Sequence, residues 1–255
     1  MSPIETSEPL LRVDGLTKRF GGITASDSIS LDVGVGEIHA VIGPNGAGKT
    51  TLIGLLCGEL RPAAGHVYFA GREITALSVS RRARLGLVRS FQIPSILPNL
   101  TVAENVALAV QTTLGRGYHF WADAGRNEAL LQPARAAIAE LALDGRRNVV
   151  AAALSHGEQR QLELAMVLAT KPRLLLLDEP LAGMGAKESA FVAALLGRLK
   201  GRISMLLVEH DMEAVFALAD RITVMVYGRV IAVGDAASIR ANPEVQHAYL
   251  GEEQA

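Results

Sequence analysis

The sequence predicts an α/β fold: a mostly parallel sheet around a glycine-rich loop, an N-terminal antiparallel β layer ahead of it, and an inserted α-helical subdomain. Three observations carry this expectation. Near-continuous apolar runs of strand length, residues 38–42, 174–177 and 203–208, read as parallel strands covered on both faces. Two stretches, Leu11–Val13 and Ile29–Val33, alternate apolar with polar residues on either side of Gly21-Gly22, the pattern of a hairpin with one wet face. From about residue 74 to 155 the chain turns rich in Ala, Leu and Arg, which reads as helix.

Taken in order, the first nine residues are polar, lack the basic start and apolar centre of a signal peptide, and are expected to be disordered. The hairpin follows. The run at 38–42 then leads into Gly43-Pro44-Asn45-Gly46-Ala47-Gly48-Lys49-Thr50, a match to G-x-x-x-x-G-K-[ST]. Its glycines let backbone amides converge on one anion, and Leu52, Ile53, Leu55, Leu56 and Leu60 open a helix whose N-terminal dipole points the same way. This predicts a nucleotide site made of residues 43–50 with Thr51. Lys49 is the point charge for the β- and γ-phosphates, and the Thr50 hydroxyl is a ligand for Mg2+. Cys57 sits on the apolar face of the same helix and is expected in the core.

Val67-Tyr68-Phe69 is expected to join the hairpin layer. The helical stretch is punctuated at Pro94, Pro98, Gly115/Gly117 and Pro133, which are expected to break it, and it carries an aromatic group of Tyr118, Phe120 and Trp121. Ser155-x-x-Glu158 has the spacing of a capping box before a periodic helix. The run at 174–177 ends in Asp178-Glu179, two carboxylates at the C-terminal end of a buried strand, where α/β folds bind ligands. Asp178 resembles the metal-orienting acid of phosphate-loop ATPases, and Glu179 is placed to polarise an attacking water. Helices at 186–200 and 211–219, a strand pair at 222–226 and 230–233, and a short helix capped by Asn242 before Pro243 complete the chain.

Composition narrows the function classes. Twenty-five Lys and Arg against 26 Asp and Glu leave no global positive field, so nucleic acid is not an expected partner. No stretch approaches the roughly 18 apolar residues of a membrane span. A membrane role must come through another protein. The single cysteine fits a reducing compartment.

Leu154-Ser155-His156-Gly157-Glu158-Gln159-Arg160-Gln161, shortly before an acidic strand end, resembles the signature helix of ATP-binding cassette (ABC) ATPases, and the resemblance extends from residue 11 to 250. It implies one ABC ATPase domain over residues 10–251 with a helical subdomain at about 88–155, ATP and Mg2+ as ligands, and a dimer with two shared ATP sites. In such a dimer Ser155, His156, Gly157 and Glu158 face the ATP of the partner subunit. The resemblance further assigns Phe20 to adenine stacking, Gln92 to the Mg2+ or the water, and His210 to the γ-phosphate. The catalytic set is then Lys49, Gln92, Glu179 and His210, and the metal set Thr50, Gln92 and Asp178. Two departures stand out: His156 replaces a glycine of the usual signature, and Gly185 stands where many members place an aspartate.

Within the family, Glu209-His210-Asp211-Met212, Ala182-Gly183-Met184 and the tail Ala241–Gly251 resemble the ATPases of bacterial branched-chain amino-acid importers. That resemblance implies a peripheral location on the cytoplasmic face of the inner membrane. Implied partners are permease subunits, a second cassette and, indirectly, a solute-binding protein. Related ATPases of urea or amide import or lipopolysaccharide extraction are alternatives, as are a soluble cassette acting on nucleic acid or ribosomes and a regulatory subunit with little turnover.

Overall fold

The computed structural model describes residues 8–90, 96–113 and 128–250. In chain order its elements are β1 (Leu11–Phe20), β2 (Ile23–Val33), β3 (Ile38–Ile42), α1 (Lys49–Cys57), β4 (Ala64–Phe69), β5 (Arg72–Glu73), α2 (Val79–Arg84), β6 (Leu87–Arg89) and α3 (Val102–Thr113). There follow α4 (Glu128–Glu140), α5 (His156–Ala169), β7 (Leu174–Asp178), α6 (Ala186–Leu199), β8 (Ser204–Val208), α7 (Met212–Leu218), β9 (Arg221–Val226), β10 (Arg229–Gly234), α8 (Ala236–Ala241) and α9 (Pro243–Leu250). The chain divides into two compact units, one of residues 1–89, 173–180 and 196–255, the other of 90–172 and 181–195.

The first unit holds both sheets. One is antiparallel, ordered β2-β1-β4-β5, and the other, ordered β10-β9-β3-β8-β7-β6, is parallel except for β10 on its edge. Along β1, buried Leu11 and Val13 alternate with exposed Arg12 and Asp14, so the period of two fixes which face turns inward. By contrast β3, β7 and β8 are buried at every position, as their continuous apolar runs require. From Leu52 onward helix α1 is apolar on every side and packs in one core with Leu11, Val13 and Leu16 of β1 and Leu174 and Leu176 of β7. Cys57 is 3% exposed within that core.

Strand β6 is absent from the sequence expectation. Three residues are too few for either period to register, and what places them is pairing: Leu87, Val88 and Arg89 lie parallel to Leu174, Leu175 and Leu176.

The second unit packs α3, α4 and α5 on one another. Helix α3 starts from a reciprocal cap in which Thr101 Oγ1 accepts from Glu104 N–H at 3.2 Å and Glu104 Oε2 accepts from Thr101 N–H at 2.7 Å. Pro133, expected as a break, lies inside α4. The ring removes one ladder hydrogen bond, yet Ala134, Ala137 and Ile138 just beyond it are buried, and tertiary packing outweighs the loss. Pro94 and the aromatic group Tyr118, Phe120 and Trp121 lie outside the described residues.

At the base of the parallel sheet sits a buried histidine. His39 is 1% exposed, with Nδ1 2.9 Å from the Asp32 carbonyl and Nε2 2.7 Å from Thr223 Oγ1. A carbonyl only accepts, so Nδ1 carries the proton and Nε2 accepts from the threonine hydroxyl. Burial, with the Arg221 charge second, holds this imidazole below its ordinary value of 6.5, against opposing contributions from Glu37 and Asp32. The unfolded chain therefore binds the proton more readily. Stability from this site is complete above pH 6.5 and declines as pH falls from there toward the depressed native value. Thermal melts from pH 7.5 to 5.5 are expected to show a steeper acid-side loss for the native chain than for His39→Gln; equal slopes would remove His39 from the pH dependence.

Candidate nucleotide site

Strand β3 delivers the chain to the phosphate loop, and two contacts explain why glycine stands at its ends. A Cβ on Gly43, at φ +151°, would lie 2.0 Å from the Met225 carbonyl oxygen, and one on Gly48, at φ +97°, 2.2 Å from that of Ala25. Side chains at either place are excluded by the backbones of β9 and β2, which fix the loop's path. Gly48 caps α1 in a left-handed conformation. Having no side chain, it offers no competing acceptor to the first-turn amides, which suits that helix end to an anion. Pro44 is half-buried, Asn45 and Gly46 are exposed and Ala47 is buried; beyond the cap, Thr50 is exposed and Thr51 half-buried.

Lys49 is 6% exposed, and its Nζ donates to the carbonyls of Gly43 at 2.5 Å and Pro44 at 2.9 Å. The ammonium is thus folded into the loop it serves.

Strand β7 ends at Asp178, 2% exposed. Its Oδ2 accepts from Arg89 Nη2 at 2.8 Å, while Oδ1 is buried without a hydrogen-bond partner. Burial raises the Asp178 carboxyl above its usual range and the charge of Glu179 adds to this, against the opposing charges of Arg89 and Lys49. Lys49, Asp178 and Glu179 therefore share one electrostatic neighbourhood. Among the described residues no cluster of three His, Cys, Asp or Glu side chains could hold a metal ion by itself.

Glu179 follows with φ +50°, a left-handed conformation in a non-glycine residue, and its N–H donates to the Val208 carbonyl at 2.8 Å. That bond to the end of β8 holds the turn. His210, just past β8, lies with Nε2 2.6 Å from Glu179 Oε1. A carboxylate only accepts, so Nε2 donates. The flanking acids are occupied otherwise: Glu209 Oε2 accepts from His210 N–H at 3.1 Å, and Asp211 Oδ1 caps α7, accepting from Glu213 N–H at 3.0 Å and Ala214 N–H at 3.1 Å.

Phe20, at the end of β1, is 48% exposed with Lys18 Nζ 5.1 Å from its ring centre. It is not a core residue. An open cleft of about 470 Å3 between β2 and β10, lined by Thr24, Asp27, Val226, Tyr227, Arg229 and Ile231, shares no residue with the phosphate loop. Chemistry rather than concavity marks the site.

In the second unit Ser155 caps α5 in the expected box: Ser155 Oγ accepts from Glu158 N–H at 3.3 Å and Glu158 Oε2 from Ser155 N–H at 2.8 Å. Arg146 Nε also donates to Glu158, at 2.7 Å. His156 is exposed and Gly157 buried. A Cβ on Gly157 would lie 2.3 Å from Glu188 Oε1, so glycine here admits the Glu188 carboxylate against the start of the helix. Gln92 lies outside the described residues. The structure thus brings Lys49, Asp178, Glu179 and His210 together in the first unit and adds Arg89 and Glu59 there, while within the second unit it sets Glu188 against Gly157; no motif marks these three.

A family profile described as "ABC transporter" matches residues 26–182, and one described as "Branched-chain amino acid ATP-binding cassette transporter" matches residues 229–255. The chain is 38% identical over 255 residues to the high-affinity branched-chain amino acid transport ATP-binding protein BraF of Pseudomonas aeruginosa, covering 96% of this chain and 99% of that one. Against the Escherichia coli K12 protein of the same description, LivG, identity is 37% over 254 residues, with 96% and 99% covered. Among solved structures, the ADP conformation of an ATP-binding cassette of an ABC transporter superposes with TM-score 0.85 at 29% identity, over 96% of this chain and all of that one. A nucleotide-free cassette gives TM-score 0.83 at 28% identity, over 94% and 98%. By these matches this chain belongs to the ABC transporter ATPases and is an ATP-hydrolysing subunit of that type.

Proposed function

We propose that this chain drives a bacterial importer of branched-chain amino acids from the cytoplasmic face of the inner membrane. It would do so as one cassette domain spanning residues 10–251, in a dimer with a second cassette bound to permease subunits. The observation that carries the chemistry is the 2.6 Å pair of His210 and Glu179 beside Asp178 and Lys49. The transported class rests on the likeness to BraF and LivG and on the C-terminal profile. No described helix is long and apolar enough to cross a membrane; in this reading the permeases hold the chain at the membrane.

The residues divide the work as follows. Phe20 stacks on adenine, and the amides of residues 43–51 with Lys49 hold the phosphates. Glu179 accepts the proton of the attacking water, with His210 orienting its carboxylate and reaching the γ-phosphate. From the second cassette, the α5 start at Ser155–Glu158 closes the site on that phosphate. Gln92 takes the role the family resemblance assigns to it, toward the Mg2+ or the water.

Mg2+ fits the residues present. The partnerless buried Oδ1 of Asp178 and the exposed Thr50 hydroxyl are hard oxygen donors. A set this small suits an ion that takes its remaining ligands from phosphates and water. Held there, with Gln92 as the further ligand that the family resemblance assigns, it would neutralise charge developing on the transferred phosphoryl group.

The tagged chain is expected to co-purify from its source membranes, in Mg-ATP, with two multi-span permeases and a second cassette. A lipid-extraction permease, or ribosomes without any membrane protein, would leave the ATPase standing and overturn the importer.

A further inference from the structure

Arg89 ends β6 between two carboxylates. Its Nη1 donates to Glu59 Oε2 at 2.5 Å and its Nη2 to Asp178 Oδ2 at 2.8 Å. The arginine and aspartate side chains are 12% and 1% exposed, so water competes poorly for either. Glu59 follows Gly58, the left-handed residue that closes α1. The guanidinium therefore ties the far end of the phosphate-loop helix to the acid at the end of β7.

The consequence lies in the two oxygens of Asp178. One is engaged by a charge-assisted bond that fixes the plane of the carboxylate, and the other, Oδ1, is buried with no partner. An arginine that only neutralised Asp178 could take both oxygens with its fork; here the second arm is turned to Glu59. The geometry points to Arg89 as a positioning residue for the metal-bound nucleotide: braced by Glu59, it holds Asp178 so that Oδ1 remains for the ion's coordination sphere. This rests on the reading of Asp178 as the metal-holding acid.

The test is equilibrium binding of the fluorescent nucleotide TNP-ATP to the full chain, once in EDTA and once in Mg2+. The ratio of the two dissociation constants reports the contribution of the metal apart from that of the loop. Arg89→Ala is expected to leave affinity in EDTA unchanged and to weaken the Mg2+-dependent tightening about 10-fold, as loss of a residue that orients a metal ligand does. Glu59→Gln should shift the ratio in the same direction by less. Arg89→Lys, which preserves charge and bulk if the alanine variant fails to fold, should also lower it, because a single ammonium cannot span both carboxylates. An unchanged ratio, or a parallel loss of affinity with and without metal, would overturn the proposal. Asp178→Asn separates the two readings: if it abolishes the tightening while Arg89→Ala does not, only the role of Arg89 falls, and if it leaves the tightening intact, the metal reading of Asp178 falls first.

Discussion

Glu179→Gln is expected to bind ATP as the native chain does and to hydrolyse it about 100- to 10,000-fold more slowly, the range over which a positioned general base acts. The amide is nearly isosteric with the carboxylate, so the turn held by Glu179 N–H on the Val208 carbonyl is preserved, and the amide oxygen can still accept from His210 Nε2. What disappears is the basic oxygen. The left-handed φ of +50° at this residue is a cost of about 1–2 kcal/mol, tolerated where a side chain must leave the line of its strand. Steady-state phosphate release, set beside nucleotide binding in the same buffer, makes the measurement. Undiminished turnover would remove Glu179 from the reaction, whereas loss of binding would make its role architectural.

That site was largely legible in the sequence because its parts are local. Gly43–Thr50 is contiguous, Asp178-Glu179 closes an apolar run, and Ser155-x-x-Glu158 is a spacing that a capped helix produces by itself. The parallel strands were legible for the same reason, since burial on both faces leaves an unbroken apolar run. What escaped depends on pairs far apart in the chain. Arg89 meets Asp178 across 89 positions and His39 meets Thr223 across 184, and no period or motif marks either partner. Strand β6 exists through its register with β7, and Pro133 stays helical because its neighbours are packed. The extent of the second unit was hidden similarly: residues 181–195 join it from beyond β7 through folding, not through composition.

Arg82 belongs to that long-range class and gives the largest expected effect on stability. It is 1% exposed, and its guanidinium donates to the carbonyls of Leu55 at 2.8 Å and Leu56 at 2.7 Å, in the last turn of α1, and to those of Thr75 at 2.8 Å and Leu77 at 3.1 Å. A helix leaves its final carbonyls without intrahelical donors, and the dipole there favours a cation. Arg82 meets both needs. Arg82→Ala strands several buried acceptors and opens a cavity, with an expected loss of about 3 kcal/mol or more, equivalent to a drop in Tm of roughly 6–12 °C for a chain of this size. Because Lys49 and Thr50 lie at the opposite end of α1, nucleotide affinity measured well below Tm should change little. Thermal melts of Arg82→Ala and Arg82→Met with and without ATP make the comparison. If the methionine variant melts with the native chain, apolar filling replaces the guanidinium, as it does for some buried ionic groups; if it melts with the alanine variant, the hydrogen bonds to the helix end are what hold α1 in place.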